Sequence, residues 1–309
     1  MQLAGTEAGH TGMKMMIRKQ TMAWIIVATM VAASLGVADA RPTYDNTDTQ
    51  ALTEAMVEAH GGQGAWLETP SFNYKYVMYL ASLPVPGESG RRYFDNWRLY
   101  EATLEPRTSR GYLSLPLEES VGPHAGFDGE RLWSRPYSFD PSFQDSPFML
   151  MYFHYSMIAL PWMTQMDGVV LEDRGTGNLP SLDIEFRVVR MSFSPAGKTH
   201  GGHYDLYIDP QTNRLAGWIQ TTRVPILPGD ALPAEVEGRD GPGNIARIVD
   251  QYAELDGKLI PIAYSSLATD GSDRLFGIHL LIEPSFGDAI DVSMLEPPED
   301  AEIIYQVER

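Results

Sequence analysis

The sequence predicts a mainly β fold arranged as one antiparallel meander, and three observations predict it. Beyond about residue 70, apolar and polar residues alternate with a period of two through nearly all of the chain, as in half-buried strands. Turn-forming pairs separate these runs, most clearly Asp128-Gly129, Asp209-Pro210, Asp256-Gly257 and Asp270-Gly271. Helical patterns between successive strands are almost absent, which argues against a parallel sheet. Several runs are about ten residues long, which favours a large curved sheet or barrel over a compact sandwich.

Composition sets the class of protein. The 309 residues carry a formal net charge of −18 and include no cysteine. A hydrophobic content of 43 % indicates a sizeable core and excludes a disordered chain. The acidic balance argues against a nucleic-acid partner, because such binding needs Lys and Arg to neutralise phosphates. Without cysteine there is no thiol nucleophile, thiolate zinc site, disulfide or lipid-modified cysteine. We expect a single domain over residues 41–309 that is a monomer and needs no cofactor.

The first 40 residues have the pattern of a signal peptide. Three basic residues precede an apolar or small stretch, residues 22–38, which closes on Ala38-Asp39-Ala40. Cleavage after Ala40 would export a mature chain that begins at Arg41. The alternative is a membrane anchor, but a run of about 17 residues is at the low end of a span. Met13 is a second candidate for the start of the chain.

Residues 47–61 form a clear helical pattern ahead of the strands. Thr47-Asp48-Thr49-Gln50 matches a capping box, and Gly61 supplies a C-terminal stop. His60 has two interpretations, since helix C-termini attract histidine and imidazole can also contact a ligand. We favour the first, with Gly61 in a left-handed conformation and Trp66 packed under the sheet. One stripe of the helix is predicted to be buried: Ala51, Leu52, Ala55, Met56 and Ala59.

About eleven strands are predicted, with two interruptions. Residues 146–166 are strongly apolar, and residues 224–243 are rich in Pro, Gly and acidic residues and predict a surface loop. The predicted strands lie near 71–82, 91–103, 107–115, 130–135, 168–174, 182–193, 203–209, 214–223, 245–255, 258–268 and 276–283.

The segment from Phe148 to Met163 is apolar on every side. If it is helical, it must be buried all round or face a non-aqueous ligand. Two interpretations stay open: a core helix that plugs the sheet, and the wall of a cavity for ligands of variable shape. The candidate cavity residues combine this segment with aromatic residues of the strands: Phe148, Met149, Met151, Tyr152, Phe153, Tyr155, Met157, Ile158, Trp162, Met163, Tyr74, Tyr76, Trp97 and Trp133.

Catalytic motifs are lacking. The sequence has no G-x-S-x-G, no H-E-x-x-H, no P-loop and no glycine-rich dinucleotide loop after a strand. We therefore predict no catalytic residue and no enzyme, with a hydrolase that pairs His154 or His279 with a carboxylate as the alternative. The spacing of His200 and His203 suits a metal, but no third ligand is identifiable, so a turn is favoured. Residues 240–244 have some character of a calcium loop without its terminal glutamate, so no metal is predicted.

Several short motifs occur in a recognisable order: Ala59-His60-Gly61-Gly62 with Trp66, Phe127-Asp128-Gly129-Glu130-Arg131-Leu132-Trp133, Tyr207-Ile208-Asp209-Pro210 with Leu215 and Trp218, Asp250-Gln251-Tyr252, Leu255-Asp256-Gly257 and Ile260-Pro261. In this order they resemble LolA/LolB-type proteins, and more narrowly the exported members with an Ala-His-Gly-Gly…Trp opening. The resemblance covers about residues 47–305. It implies an unclosed antiparallel β-barrel of about eleven strands, with helices in its concave face around a hydrophobic cavity for lipoprotein acyl chains.

These observations together predict a soluble periplasmic binding protein that shelters an apolar ligand, lipid or lipoprotein acyl chains. Its partners would be a lipid or an acylated protein and, transiently, membrane proteins of the envelope. Each buried methylene contributes about 0.8 kcal/mol, so a long chain could bind without any polar contact. The alternative from another class is a structural or interaction protein in which the apolar segment is only core.

Overall fold

The computed structural model of the chain describes residues 41–80, 96–108, 110–114, 123–135, 157–193, 203–221, 245–272 and 274–306. The predicted signal peptide, the apolar residues 148–156 with His154, and the predicted loop at 224–243 lie outside these ranges. His200 and residues 240–244 do so as well. Within the described ranges, no helix is long and apolar enough to cross a membrane.

Within the described ranges, fourteen strands form one sheet. The strands are β1 (Thr43–Tyr44), β2 (Ser71–Leu80), β3 (Asn96–Leu104), β4 (Gly111–Ser114), β5 (Ala125–Phe127), β6 (Arg131–Ser134), β7 (Val169–Gly177), β8 (Phe186–Phe193), β9 (His203–Ile208), β10 (Leu215–Thr221), β11 (Ile245–Leu255), β12 (Lys258–Ala268), β13 (Leu275–Gly287) and β14 (Glu302–Gln306). Their order in the sheet is β1-β7-β8-β9-β10-β11-β12-β13-β2-β3-β4-β5-β6-β14.

The sheet is open and almost wholly antiparallel. β1 and β14 are its two edges, and no pairing joins them within the part of the chain that the structure describes. This confirms the predicted mainly β, unclosed antiparallel fold. The one departure in strand direction is β1, which pairs in parallel with β7.

Three short strands correct the predicted number of about eleven. β1, β5 and β14 have two, three and five residues, and so few residues do not show a recognisable period of two. The other strands all overlap predicted ones, and β11 and β12 have the predicted bounds. Between these two strands, Asp256 and Gly257 have φ values of 48° and 73°, the left-handed pair that a tight hairpin turn requires.

The sheet curves around the larger of two clusters of buried residues. Val169 of β7, Leu206 of β9, Tyr264 of β12 and Leu113 of β4 all belong to one cluster of buried residues. A flat sheet of fourteen strands would be about 60 Å wide at a spacing of about 4.8 Å per strand. Side chains on strands so far apart could not share one cluster, so the sheet has a concave face that encloses the core.

Helix α1 (Thr47–Ala59) lies in this concave face, and its cap and its buried stripe differ from the prediction. The N-cap is Asn46, whose side chain accepts a hydrogen bond from the N–H of Thr49, so the predicted capping box at residues 47–50 is wrong. The predicted C-terminal stop is confirmed, because Gly61 has a φ of 97°. A methyl group there would lie 2.7 Å from the carbonyl oxygen of Gly257, so the helix end fits closely against the β11–β12 hairpin.

The buried stripe of α1 also contains polar residues. Its buried residues are Thr49, Thr53, Met56 and Val57, whereas Ala51 is exposed and Leu52, Ala55 and Ala59 are only half-buried. The predicted stripe is therefore right for Met56 alone. Thr53 can be buried because its hydroxyl donates to the carbonyl oxygen of Thr49 at 2.7 Å, which satisfies the polar group inside the helix.

Two further helices lie on the concave side among the residues that the structure describes. Helix α2 (Gln63–Leu67) follows α1 directly. Residues 157–163 form a third helix, α3, immediately before β7. Every residue from Met157 to Met163 is buried, so the expectation that this segment is buried all round is met over its described part.

Candidate functional site

An aromatic cluster joins all three helices at one end of the concave interior. The indole rings of Trp66 on α2 and Trp162 on α3 are stacked, with centroids 4.2 Å apart and an interplanar angle of 9°. His60, at the end of α1, meets the Trp162 ring edge-on at 6.0 Å and the Tyr252 ring at 5.6 Å. Trp66 is 2 % exposed, which confirms that it packs under the sheet.

His60 is a structural residue of this cluster. Its side chain is fully buried, and its Nδ1 is hydrogen-bonded to the carbonyl oxygen of Met56 at 2.7 Å. Burial lowers the pKa of His60 to about 4, because the charged imidazolium loses its hydration there. His60 is therefore neutral at physiological pH, and its placement at a helix C-terminus does not involve a positive charge.

Helix α3 lies directly on the sheet. The hydroxyl of Tyr264 donates to the backbone oxygen of Met157 at 2.8 Å, and the hydroxyl of Tyr76 donates to the Met157 sulfur at 3.8 Å. These contacts fix the first described turn of α3 to strands β12 and β2. By contrast, the indole N–H of Trp162 is buried without a hydrogen-bond partner among the described residues. A buried donor without a partner costs free energy in the folded protein.

The predicted cavity residues fall into four groups, the last of which is Trp133 alone. Six of them share one buried cluster: Met157, Ile158, Trp162, Met163, Tyr74 and Tyr76. Six more, at positions 148, 149, 151, 152, 153 and 155, lie outside the described residues. Trp97 is described only through its backbone, which pairs with Tyr79.

Trp133 occupies a different place from the other predicted cavity residues. It is fully buried, and its indole N–H donates to the carbonyl oxygen of Leu295 at 2.7 Å. It packs on Gly126, where an added methyl group would lie 2.6 Å from the indole ring. Trp133 thus joins β5 and β6 to the C-terminal segment and lies outside the cluster around α3.

A row of six polar side chains crosses the concave face, and we call it the polar row. The sequence pointed only to two of them, Tyr76 as a cavity residue and His279 as part of the hydrolase alternative. Its members stand at directly opposite or diagonal positions on six neighbouring strands, where cross-strand side chains meet. They are Tyr204 on β9, Gln220 on β10, Arg247 on β11, Ser266 on β12, His279 on β13 and Tyr76 on β2.

Hydrogen bonds connect the members of the polar row. The Gln220 amide donates to the Tyr204 hydroxyl at 3.4 Å, and Nη1 of Arg247 donates to the Gln220 amide oxygen at 3.3 Å. Ser266 stands directly opposite Arg247, and its hydroxyl is hydrogen-bonded to Nε2 of His279 at 2.8 Å. Nδ1 of His279 is in turn hydrogen-bonded to the hydroxyl of Tyr76. The row therefore ends beside Met157, at the start of α3.

The polar row contains a buried charge. Arg247 is only 3 % exposed, and burial lowers its pKa to about 10, so the guanidinium remains positive at physiological pH. Burial raises the pKa of Tyr76, which keeps its hydroxyl neutral. The described interior thus combines a wide apolar surface with a buried cation in the polar row, while a second buried cation, Lys258, lies over the ring of Phe286.

The catalytic and metal alternatives concern His279 and His203. The hydrolase alternative pairs His279 with a carboxylate, whereas the structure shows it hydrogen-bonded to a phenol and to a serine hydroxyl. Nε2 of His203 lies 3.7 Å from Asp205, which also accepts two hydrogen bonds from Arg190. Among the described residues, no three His, Cys, Asp or Glu side chains are grouped closely enough to hold a metal ion.

Comparisons with known proteins concern the fold. No model of a known protein family matches the sequence, and no curated protein matches it. Among solved structures, the chain is similar to a LolA superfamily protein, NE2245 from Nitrosomonas europaea, with a TM-score of 0.47 and 10 % identity over 80 % of this chain and 97 % of that one. It is also similar to a DUF1329 family protein from Desulfovibrio piger, with a TM-score of 0.45 and 9 % identity over the same shares of the two chains.

A third similar structure is the Pseudomonas aeruginosa MucA/MucB complex, with a TM-score of 0.27 and 11 % identity over 83 % of this chain and 63 % of that one. At these scores and identities the likeness concerns general architecture, and no ligand, partner or location follows from it.

Proposed function

We propose that this chain is an exported, non-catalytic binding protein of the periplasm that shelters an apolar ligand, such as lipid or lipoprotein acyl chains, in its concave interior. One observation carries the proposal. The concave face of an open sheet is covered by a short helix, α3, whose residues 157–163 are all buried. An apolar chain could take over the apolar contacts of such a helix, because the hydroxyls of Tyr264 and Tyr76, which donate to Met157, also have hydrogen bonds to the Pro261 carbonyl oxygen and to His279.

A ligand that binds where α3 lies requires that the helix move, because its described side chains are packed against the sheet. Met157, Ile158 and Trp162 are each at most 2 % exposed, so their contacts with the sheet must be exchanged for contacts with the ligand. Each ligand methylene that is buried contributes about 0.8 kcal/mol. A long acyl chain can therefore offset the contacts that α3 gives up, whereas a short one cannot.

Partners and location belong to the same proposal. The sequence has the features of a cleavable signal peptide, which supports export. A chain with a net charge of −18 is repelled by anionic membranes. This favours a monomer that exchanges its lipid or acylated cargo in brief contacts with membrane proteins of the envelope.

The burial of residues 157–163 also favours a second candidate function. If α3 never leaves the sheet, its residues are an ordinary core, and the chain is a structural or interaction protein of the cell envelope. The complete burial of Ala159 and Leu160 is what a permanent core would show. The two candidates differ in whether the interior ever contains atoms from another molecule.

Native mass spectrometry of the mature protein, purified from its host, tests the proposal. We expect species heavier than the polypeptide by the mass of a lipid, and extraction with organic solvent should release that lipid for identification. Mature protein expressed without export and then exposed to a fluorescent fatty acid serves as the control for binding in solution. Protein that is always free of ligand and has no affinity for the fluorescent fatty acid would support the second candidate.

A further inference from the structure

The interior has two chemically different parts. The aromatic cluster and α3 present apolar surface, whereas the polar row places Arg247, Ser266 and His279 side by side on strands β11, β12 and β13. A ligand that is purely hydrocarbon gains nothing from a charged group at its end. An acyl chain alone would therefore make no use of the charged and polar side chains of the polar row.

We propose that the polar row binds the anionic headgroup of the ligand, so that the preferred ligand is a single-chain lipid with a free carboxylate rather than an uncharged acyl group. The proposal rests on the proposed function, because it assigns a headgroup to the ligand of the same interior. It narrows the ligand class from any apolar chain to a fatty acid.

Arg247 supplies the charge for this recognition. A guanidinium has five N–H donors, so it can bind a carboxylate in addition to its contact with Gln220. Hydrogen bonds between charged partners in a site of low polarity are stronger than those between neutral ones. A carboxylate beside Arg247 would replace part of the hydration that the guanidinium loses by being only 3 % exposed.

Ser266 places a neutral hydroxyl next to the charge and links the charge to His279. It stands directly opposite Arg247 on the neighbouring strand, where opposite residues have their Cβ atoms about 4.5–5.5 Å apart. Its hydroxyl is held by His279 Nε2, and His279 is held by Tyr76. Such a connected set of side chains is pre-organised, so little ordering is needed when an anion binds.

The position of the row relative to α3 gives the direction of the bound chain. Tyr76 ends the row and donates to the sulfur of Met157, the first described residue of α3. From there α3 leads to Trp162, which is stacked on Trp66 in the aromatic cluster. A ligand that replaces α3 would therefore place its carboxylate at Arg247 and its hydrocarbon chain along the path toward Trp66.

The test compares two probes of equal chain length, dodecanoate and dodecanol, by displacement of the neutral dye N-phenyl-naphthylamine from the mature protein. The native chain is compared with Arg247→Met, which removes the charge but keeps the length of the side chain. It is also compared with Gln220→Glu, which keeps Arg247 and gives it an internal carboxylate partner. Arg174→Met removes a positive charge from an exposed position on β7 and is the matched control.

We expect the native chain and Arg174→Met to bind dodecanoate at least about tenfold more tightly than dodecanol, as a charge-assisted hydrogen bond implies. Both Arg247→Met and Gln220→Glu should lose this preference and keep their affinity for dodecanol. Circular dichroism reports whether Arg247→Met folds. If that variant does not fold, Gln220→Glu still tests the recognition of the carboxylate, because Arg247 remains in place.

Two results would overturn the inference in distinguishable ways. The first result is equal affinity of the native chain for dodecanoate and dodecanol, or a preference for dodecanoate that is unchanged in both Arg247→Met and Gln220→Glu. It would contradict the headgroup site and leave the proposed function intact. Binding of neither probe by the native chain would contradict the proposed function itself, and the headgroup site with it.

Discussion

Helices α1 and α3 share the concave interior, but they are held there in different ways. Directional bonds tie both ends of α1 to the sheet: the Asp45 carboxylate accepts from the Thr49 hydroxyl on α1 and from the N–H of Asp173 on β7, and the carbonyl oxygen of His60 accepts from the N–H of Leu259 at 3.4 Å. For α3, the hydrogen bonds from the sheet that the described residues show come from tyrosine hydroxyls, those of Tyr264 and Tyr76 to Met157 and that of Tyr44 to Gln165 just after the helix, and the rest of its contact is apolar packing. Apolar packing is not directional, so another apolar molecule can replace it. In the proposed function, α1 is therefore the fixed helix and α3 the exchangeable one.

The largest expected effect is a difference in the free energy of unfolding between substitutions at the two stacked tryptophans. Trp66 belongs to the fixed part and Trp162 to α3. Replacing a buried tryptophan by alanine costs about 3–5 kcal/mol, and we expect this loss for Trp66→Ala. For Trp162→Ala the loss should be clearly smaller. If α3 opens locally, a substitution on it cannot lower the free energy of global unfolding by more than the free energy with which α3 docks on the sheet.

Urea denaturation of both variants measures this difference in the free energy of unfolding. Trp218→Ala on β10 is the control, because Trp218 is also buried and lies in the sheet; it should behave like Trp66→Ala. Equal losses for Trp66→Ala and Trp162→Ala would mean that α3 is as permanent as α1 and α2.

A smaller effect concerns the fixed end of α1 and depends on pH. The pKa of His60 is lowered by burial to about 4, whereas a histidine in an unfolded chain has a pKa of about 6.5. Between these values the unfolded chain binds a proton that the folded chain does not, so stability falls as the pH falls through this window. The full shift corresponds to about 3 kcal/mol, lost progressively from about pH 6.5 to about pH 4.

His60→Phe isolates this contribution, because phenylalanine fills a similar volume and does not titrate. The free energy of unfolding, measured in urea at several pH values, should fall less steeply between pH 6.5 and 4 in His60→Phe than in the native chain. Parallel pH profiles of the two proteins would show that His60 is not held neutral inside the fold.

The strands were the most predictable part of the molecule, for a physical reason. A strand with one buried face shows its alternation directly in the sequence, and the left-handed pair Asp256-Gly257 marks the hairpin that joins β11 and β12. The bounds of these two strands could therefore be predicted. The stripe of α1 could not, because Thr53 is buried through a hydrogen bond to its own helix, and a search for apolar residues passes over such positions.

The candidate site was only half predictable. Tyr74, Tyr76 and the apolar residues of α3 stand out by their side chains, and the structure brings them together. The polar row depends on which residues become neighbours across six strands, and that register is set by the whole sheet. No sequence pattern pointed to the row: in β13 the apolar alternation runs through Phe276, Ile278, Leu280 and Ile282, yet Ile282 is 41 % exposed and His279 only 2 %.

The central claim, that α3 leaves the sheet while the sheet stays folded, is tested most directly by the rate of thiol labelling. The chain has no cysteine of its own, so a single introduced thiol reports on one position. Ala159→Cys places it on α3 and Ala246→Cys on β11, both at fully buried alanines, while Ala51→Cys on the exposed side of α1 gives the rate for an open thiol. We predict that a maleimide labels Ala159→Cys much faster than Ala246→Cys, and faster still with dodecanoate present. Equal, slow labelling of the two buried thiols, unchanged by dodecanoate, would contradict the account.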